Sequence, residues 1–381
     1  MKYACVFCHD FVACSAFLFL CASTHSQAAS NVKIYGVLDV GMSSFSRSSI
    51  SNSRLTKINT DTNSSSLWGL TGTEDLGGGL AAQFALEAGL DPKSGGGTGT
   101  ASSGANTPIP NVFWHRSSWV GLKSDSFGSI QVGRNYTTTI LTQLINGSPM
   151  PNTSINSSDA NVVVAQGMGN DFRNSNMIRY DSPMIAGFNI GLQYAFGEQT
   201  YDSSAGKGVG AVISYTFAPF KMALSYQKNN GVNDSAGNHA NDDVNYWILT
   251  GSYDVGKYRA SFLFDKVNNK NKIPYGWVDS KAWLIGGNYA FTPLLRVGVA
   301  YSQINAGDSA VASTSYDKKS KFSVVTAHYT LSKRTYLYST FGHATNGIAP
   351  IQPLWGGNQG GQQTVKGASI NGFVVGVVHR F

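Results

Sequence analysis

The sequence predicts an all-β chain closed into a single transmembrane antiparallel barrel of about sixteen strands. Three observations carry that expectation. The chain ends on an alternating strand, residues 373–381, that stops on Phe381 with no polar tail. Segments of about ten residues with alternating hydrophobicity recur along the chain, the length a tilted membrane strand needs. Their connections alternate between short and long. Composition agrees: among 381 residues 43 are Gly, 12% are aromatic and only 13% are charged, less than a water-facing surface usually carries. After residue 30 no stretch approaches the roughly 18 apolar residues of a spanning helix, which excludes a helical membrane protein.

Taken in order, residues 1–28 read as an export signal. Lys2 gives a positive start, 11–21 is the apolar run, and Ser26-Gln27-Ala28 is a small-x-Ala cleavage pattern, so the mature chain is expected to begin at Ala29 as one barrel over 29–381. All four cysteines (Cys5, Cys8, Cys14, Cys21) fall in this leader, leaving no thiol for a disulfide or Cys metal site beyond it. The formal charge of +7 survives removal of the leader, which takes away one Lys and one Asp. No Lys/Arg run is long enough for a nucleic-acid patch.

Short connections are expected at 74–79, 123–128, 182–187, 216–220, 254–256, 291–293 and 331–333. Long ones, rich in Ser, Asn, Gly and Thr, run through 42–65, 89–115, 135–175, 197–207, 228–242, 267–279, 304–319 and 344–367. Strict alternation puts every long loop on one side and both chain ends on the other. The first and last strands must then pair, because an unpaired backbone N–H or C=O in hydrocarbon costs several kcal/mol. Tyr215, Phe217, Tyr253, Tyr258, Tyr289, Phe291, Tyr329 and Phe381 sit beside the short turns, as an interfacial girdle would.

Side-chain parity then assigns charge. A Lys or Arg on the lipid face costs about 2–4 kcal/mol at the midplane, whereas one facing the lumen stays hydrated. Lys33, Asp39, Glu87, Arg116, Arg179, Arg259, Arg296 and Arg380 are accordingly expected inside. Ile34, Leu38, Phe84, Leu86, Ile178, Phe262, Val297 and Val299 are expected to meet lipid.

Several segments together resemble the trimeric Gram-negative general porins. Val32-Lys33-Ile34-Tyr35-Gly36-Val37-Leu38-Asp39-Val40-Gly41 is similar to that family's opening strand. Trp68-Gly69-Leu70-Thr71-Gly72-Thr73-Glu74-Asp75-Leu76-Gly77-Gly78-Gly79-Leu80 is similar to its second strand and turn. Ser118-Trp119-Val120-Gly121-Leu122, Phe127-Gly128, Val132-Gly133-Arg134, Arg179-Tyr180-Asp181-Ser182-Pro183 and His379-Arg380-Phe381 extend the likeness over the mature chain.

The resemblance implies an outer-membrane homotrimer that passes small hydrophilic solutes and ions, with loop 135–175 folded inward as the constriction. It puts Arg116 and Arg134 beside that constriction, Glu87 as a carboxylate facing them, and Phe381 as the assembly signal. Asp159 and Asp171 on the loop are further acidic candidates. Leu67, Thr71 and Ala81 stand where relatives carry basic residues, which thins the basic side and implies only a mild anion preference.

Competing signals are weaker. Gly77-Gly78-Gly79 and Gly95-Gly96-Gly97 lack the Lys-Ser/Thr that completes a phosphate loop. His115, His239, His328, His343 and His379 show no i, i+4 pair for a metal. A barrel hydrolase using His328 or His343 has no Gly-x-Ser-x-Gly elbow to support it, and an exported sandwich adhesin should need no detergent. No cofactor and no nucleic-acid partner is expected.

Overall fold

In a computed structural model the chain is described over residues 31–46, 54–97, 100–103, 107–110, 112–142, 147–150, 172–200, 202–231, 243–269, 279–306, 319–345 and 369–381. The leader and the loop carboxylates Asp159 and Asp171 lie outside those residues. Sixteen strands form one closed antiparallel ring: β1 (Asn31–Phe45), β2 (Leu67–Gly77), β3 (Leu80–Asp91), β4 (Ser117–Ser124), β5 (Gly128–Tyr136), β6 (Arg173–Asp181), β7 (Phe188–Ala195) and β8 (Gly208–Phe217), followed by β9 (Phe220–Asn229), β10 (Val244–Val255), β11 (Tyr258–Asn269), β12 (Asp279–Ala290), β13 (Leu295–Ala306), β14 (Lys319–Thr330), β15 (Thr335–Thr345) and β16 (Ser369–Arg380).

The ring shuts where β1 meets β16, from Val37↔Arg380 to Phe45↔Gly372. Beyond the last strand residue the ladder continues: Gly36 donates to the carbonyl of Phe381 at 3.1 Å, and Phe381 donates back to Gly36 at 3.0 Å. Gly36 leaves room for the Phe381 ring, which a Cβ there would displace. All seven short connections fall where the sequence places them, and the β2–β3 turn has positive φ at Gly77 and Gly78.

The outer face is apolar as parity requires: Ile34 is 69% exposed, Val120 62%, Ile285 55% and Val299 55%. At the short-turn rim, rings on neighbouring strands meet. Phe188 and Tyr215 lie 4.4 Å apart, Phe220 and Tyr253 4.7 Å, and Tyr258 and Tyr289 4.7 Å, as rings of an interfacial girdle do.

Two features depart from the sequence reading. The segment 42–65, read as a loop, holds a further strand, Leu55–Thr60, that pairs with the upper part of β1 on the edge that β2 uses lower down. The inner face is also not uniformly polar. Ile248, Leu263, Leu284, Ile304, Phe322, Val374 and Val378 point inward yet are at most 2% exposed, forming one cluster with Ile140 of the short helix α1 (Thr138–Thr142). They are apolar because protein, not water, lies against them.

Replacing Gly36 with Leu should displace Phe381 and open the seam ladder. We expect a lower yield of the folded, heat-modifiable form on gels, with Gly36→Ser intermediate; equal yields for all three proteins would dissociate the terminal ring from closure.

Candidate functional site

After β5 the chain leaves the wall and turns into the lumen. Thr138 N donates to Gln193 Oε1 of β7 at 2.6 Å, and Thr139 hydrogen-bonds Gln227 of β9. Thr250 of β10 donates to the carbonyl of Thr142 at 3.2 Å, and Arg259 of β11 to that of Ser148 at 3.0 Å. Asn288 of β12 then bonds the Pro149 carbonyl, and Met150 packs against Gly298 of β13. The described part of the 135–175 loop thus runs along the inner wall from β7 to β13. It explains the apolar inward side chains there: Leu263 and Thr250 lie beside Gly147. Asp265 of β11 faces inward on the same wall, with neither carboxylate oxygen hydrogen-bonded among the described residues.

The wall from β3 to β6, which the described part of the loop does not reach, carries the charge. Glu87 Oε1 accepts from Arg116 Nε at 2.6 Å and from Tyr136 OH at 2.8 Å, while Oε2 accepts from Tyr35 OH at 2.9 Å. Arg116 Nη2 and Arg173 Nη2 both donate to the Tyr136 hydroxyl, at 2.7 and 3.2 Å, and the Arg173 guanidinium stacks 4.5 Å from that ring. Arg134 donates to the His115 carbonyl at 2.6 Å and to Ser175 Oγ at 2.9 Å. Arg179 donates to Asp181 at 2.6 Å and to the Tyr136 carbonyl at 3.2 Å.

Strict alternation from Val132, which is exposed on the outer face, would send Arg134 outward as well. Two irregularities break it: the register shifts between Asn174 and Met177, and Gly133 has φ of +134°. Bulges of this kind re-aim side chains. Arg134, Tyr136 and Arg173 gather here as a result.

Glu87 therefore does not face Arg116 across the pore. The two are ion-paired within one wall, because the Arg116 amide follows Glu87 in the β3–β4 ladder at 3.1 Å from its carbonyl. Four guanidinium groups (Arg116, Arg134, Arg173, Arg179) meet two carboxylates (Glu87, Asp181), so the cluster keeps a positive excess. Arg173 and Asp61 escaped the sequence reading; Asp61 lies within electrostatic reach of Arg116 from another element.

The other charges expected inside have these surroundings. Asp39 is fully buried and bonds Asn63, Ser64, Ser66 and Tyr338. Arg259 also pairs with Asp254 at 2.9 Å, Arg296 bonds Asn288, and Arg380 lies 5.3 Å from the Tyr336 ring. Lys33 shares their parity near the short-turn rim and is exposed.

A closed barrel with an apolar exterior, a loop drawn along its inner wall and a charged cluster opposite is a diffusion channel of the porin class. The chain belongs to the Gram-negative porin family, whose model matches residues 13–349. Outer membrane porin protein 32 of Delftia acidovorans is 31% identical over 376 residues, 95% of this chain and 97% of its own. An outer membrane porin protein of Bordetella pertussis is 28% identical over 282 residues, 68% of each chain. In three dimensions the anion-selective porin from Comamonas acidovorans superimposes with a TM-score of 0.73 at 24% identity, covering 92% of this chain and 100% of that one. The protein is an outer-membrane channel for passive movement of small solutes and ions, and its family and fold are those of a non-enzymatic pore.

Two outcomes test the cluster. Removing one partner of a buried ion pair strands the other, at about 3–5 kcal/mol. Glu87→Ala should therefore lower the unfolding midpoint in denaturant far more than the double change Glu87→Leu with Arg116→Met. His115, in the segment before β4, is pushed down to about 4 by burial and by Arg173 and Arg116. The unfolded imidazole binds its proton near the usual 6.5, so folding stability is lost as pH falls from about 6.5 towards 4. His115→Asn should flatten that part of a stability-versus-pH curve.

Proposed function

We propose that the channel favours anions mildly, acts as a homotrimer, and is exported by cleavage before Ala29. The observation that carries the anion preference is the guanidinium cluster on β4 to β6, where four Arg side chains outnumber the carboxylates paired with them. A wall of one sign raises the local concentration of counter-ions and biases which ion enters. The formal charge of +7 acts in the same direction, and one structurally similar protein is described as an anion-selective porin. The preference stays mild because Glu87 and Asp181 each neutralise one arginine, and because Leu67, Thr71 and Ala81 add no base. Loop carboxylates Asp159 and Asp171 would reduce it further.

Transport needs no covalent step. Solutes small enough to pass between the loop on β7–β13 and the arginine wall diffuse down their gradient. Hydrolysis is not part of this reading: His328 contacts Asn63 and Tyr336, and His343 hydrogen-bonds Asn371 and Thr345. Trimer contacts would use exposed apolar strand faces, among them the β1 and β16 residues Ile34, Met42, Phe373 and Val375.

In a planar bilayer under a KCl gradient, the reversal potential should indicate chloride as the more permeant ion, with three equal closing steps per insertion. Arg134→Ala with Arg173→Ala should lower the chloride-to-potassium permeability ratio by roughly 2-fold or more. An unchanged ratio would remove both from selectivity.

A further inference from the structure

A six-residue insert, residues 61–66, interrupts the strand beside β1 and turns into the barrel instead of continuing along the wall. The register measures the interruption. Val40 pairs with Thr60 and Val37 with Leu67, so three steps along β1 are matched by seven on the neighbouring segment, four residues more than an unbroken ladder needs.

Those residues are clipped to inward-facing side chains on three other strands. Asp39 Oδ2 of β1 accepts from the amides of Asn63 and Ser64 at 2.6 and 2.7 Å, and Asp39 Oδ1 accepts from Tyr338 OH of β15 at 2.7 Å. Tyr336 OH donates to Asn63 Oδ1 at 2.7 Å, and Asn63 Nδ2 stands 3.0 Å from His328 Nε2 of β14. Ser66 closes the insert, donating from its amide to Asp61 Oδ1 at 2.7 Å and accepting from Leu90 N of β3 at 3.0 Å. Every residue from Asp61 to Ser66 is at most 7% exposed. A carboxylate that satisfies two backbone amides and a phenol fixes a segment firmly, since each charge-assisted bond is about twice a neutral one.

Placed on the ring, the insert lies in a sector that the described residues of the 135–175 loop do not reach. The loop's described residues cover β7 to β13, the arginine cluster occupies β3 to β6, and the insert leans on β14, β15 and β1. Asp61 on its near edge is within electrostatic reach of Arg116.

We propose that residues 61–66 are a second constriction element, held by Asp39, that limits the channel's cross-section from the side opposite the loop-covered wall. This rests on the porin reading and adds a size-determining part to it. Because the surplus of four residues is even, excising Thr62 to Ser65 should restore a continuous strand without exchanging its two faces.

The experiment measures single-channel conductance in planar bilayers for the full-length trimer-forming protein and two variants, with heat-modifiable migration reporting folding. Deletion of residues 62–65 should raise conductance by about 1.5-fold or more, and Ser64→Trp, which enlarges the insert, should lower it by a similar factor. A folded deletion variant with wild-type conductance would overturn the proposal. If that variant does not fold, Ser64→Trp decides: reduced conductance supports the constriction, and wild-type conductance overturns it. Failure of the unmodified protein to conduct at all would instead count against the porin reading.

Discussion

A backbone amide inside hydrocarbon has no water to bond, and this requirement governs every other feature of the molecule. It forces β1 onto β16 and extends the ladder through Gly36 and Phe381. It also fixes the alternation of faces, since a ladder without slips keeps every second side chain outside. The apolar outer residues and the aromatic belt then follow from what surrounds the ring, and the charged inner residues from what fills it.

Inside, departures from regular structure carry backbone and charged side chains into the barrel. Loop 135–175 leaves β5 just after two irregularities, and those irregularities bring Arg134, Tyr136 and Arg173 together. The strand after β1 breaks for residues 61–66, which fasten to Asp39. The apolar inward residues of β10 to β13 belong to this arrangement, because a loop can seat stably only against a surface that gains from losing water. Regular ladder makes the container, and its interruptions turn inward from it.

Turns, strand count and lipid-facing residues were legible in the sequence because they depend on local rules: Gly77-Gly78-Gly79 marks a turn, and Ile34 or Val299 sits at fixed parity from its charged neighbours. What could not be read depends on contacts between distant residues. Ile248 and Leu263 look misplaced until the segment around Thr142 and Gly147 is laid over them. Glu87 was expected to face Arg116 from another wall, and only the β3–β4 register shows them side by side. Arg173 carries no motif, since its place in the cluster comes from one extra residue in β6. Residues 61–66, Asp-Thr-Asn-Ser-Ser-Ser, have the composition of any exposed loop.

The seam between β1 and β16 has a consequence for biogenesis. Its two partners are the first and last strands of the ring, so no cylinder can shut until the last strand has been made. Contacts of such long sequence separation form slowly, and the greasy strand faces would meanwhile invite aggregation in the aqueous periplasm. Closure of the seam is thus best deferred until the strand faces can meet lipid.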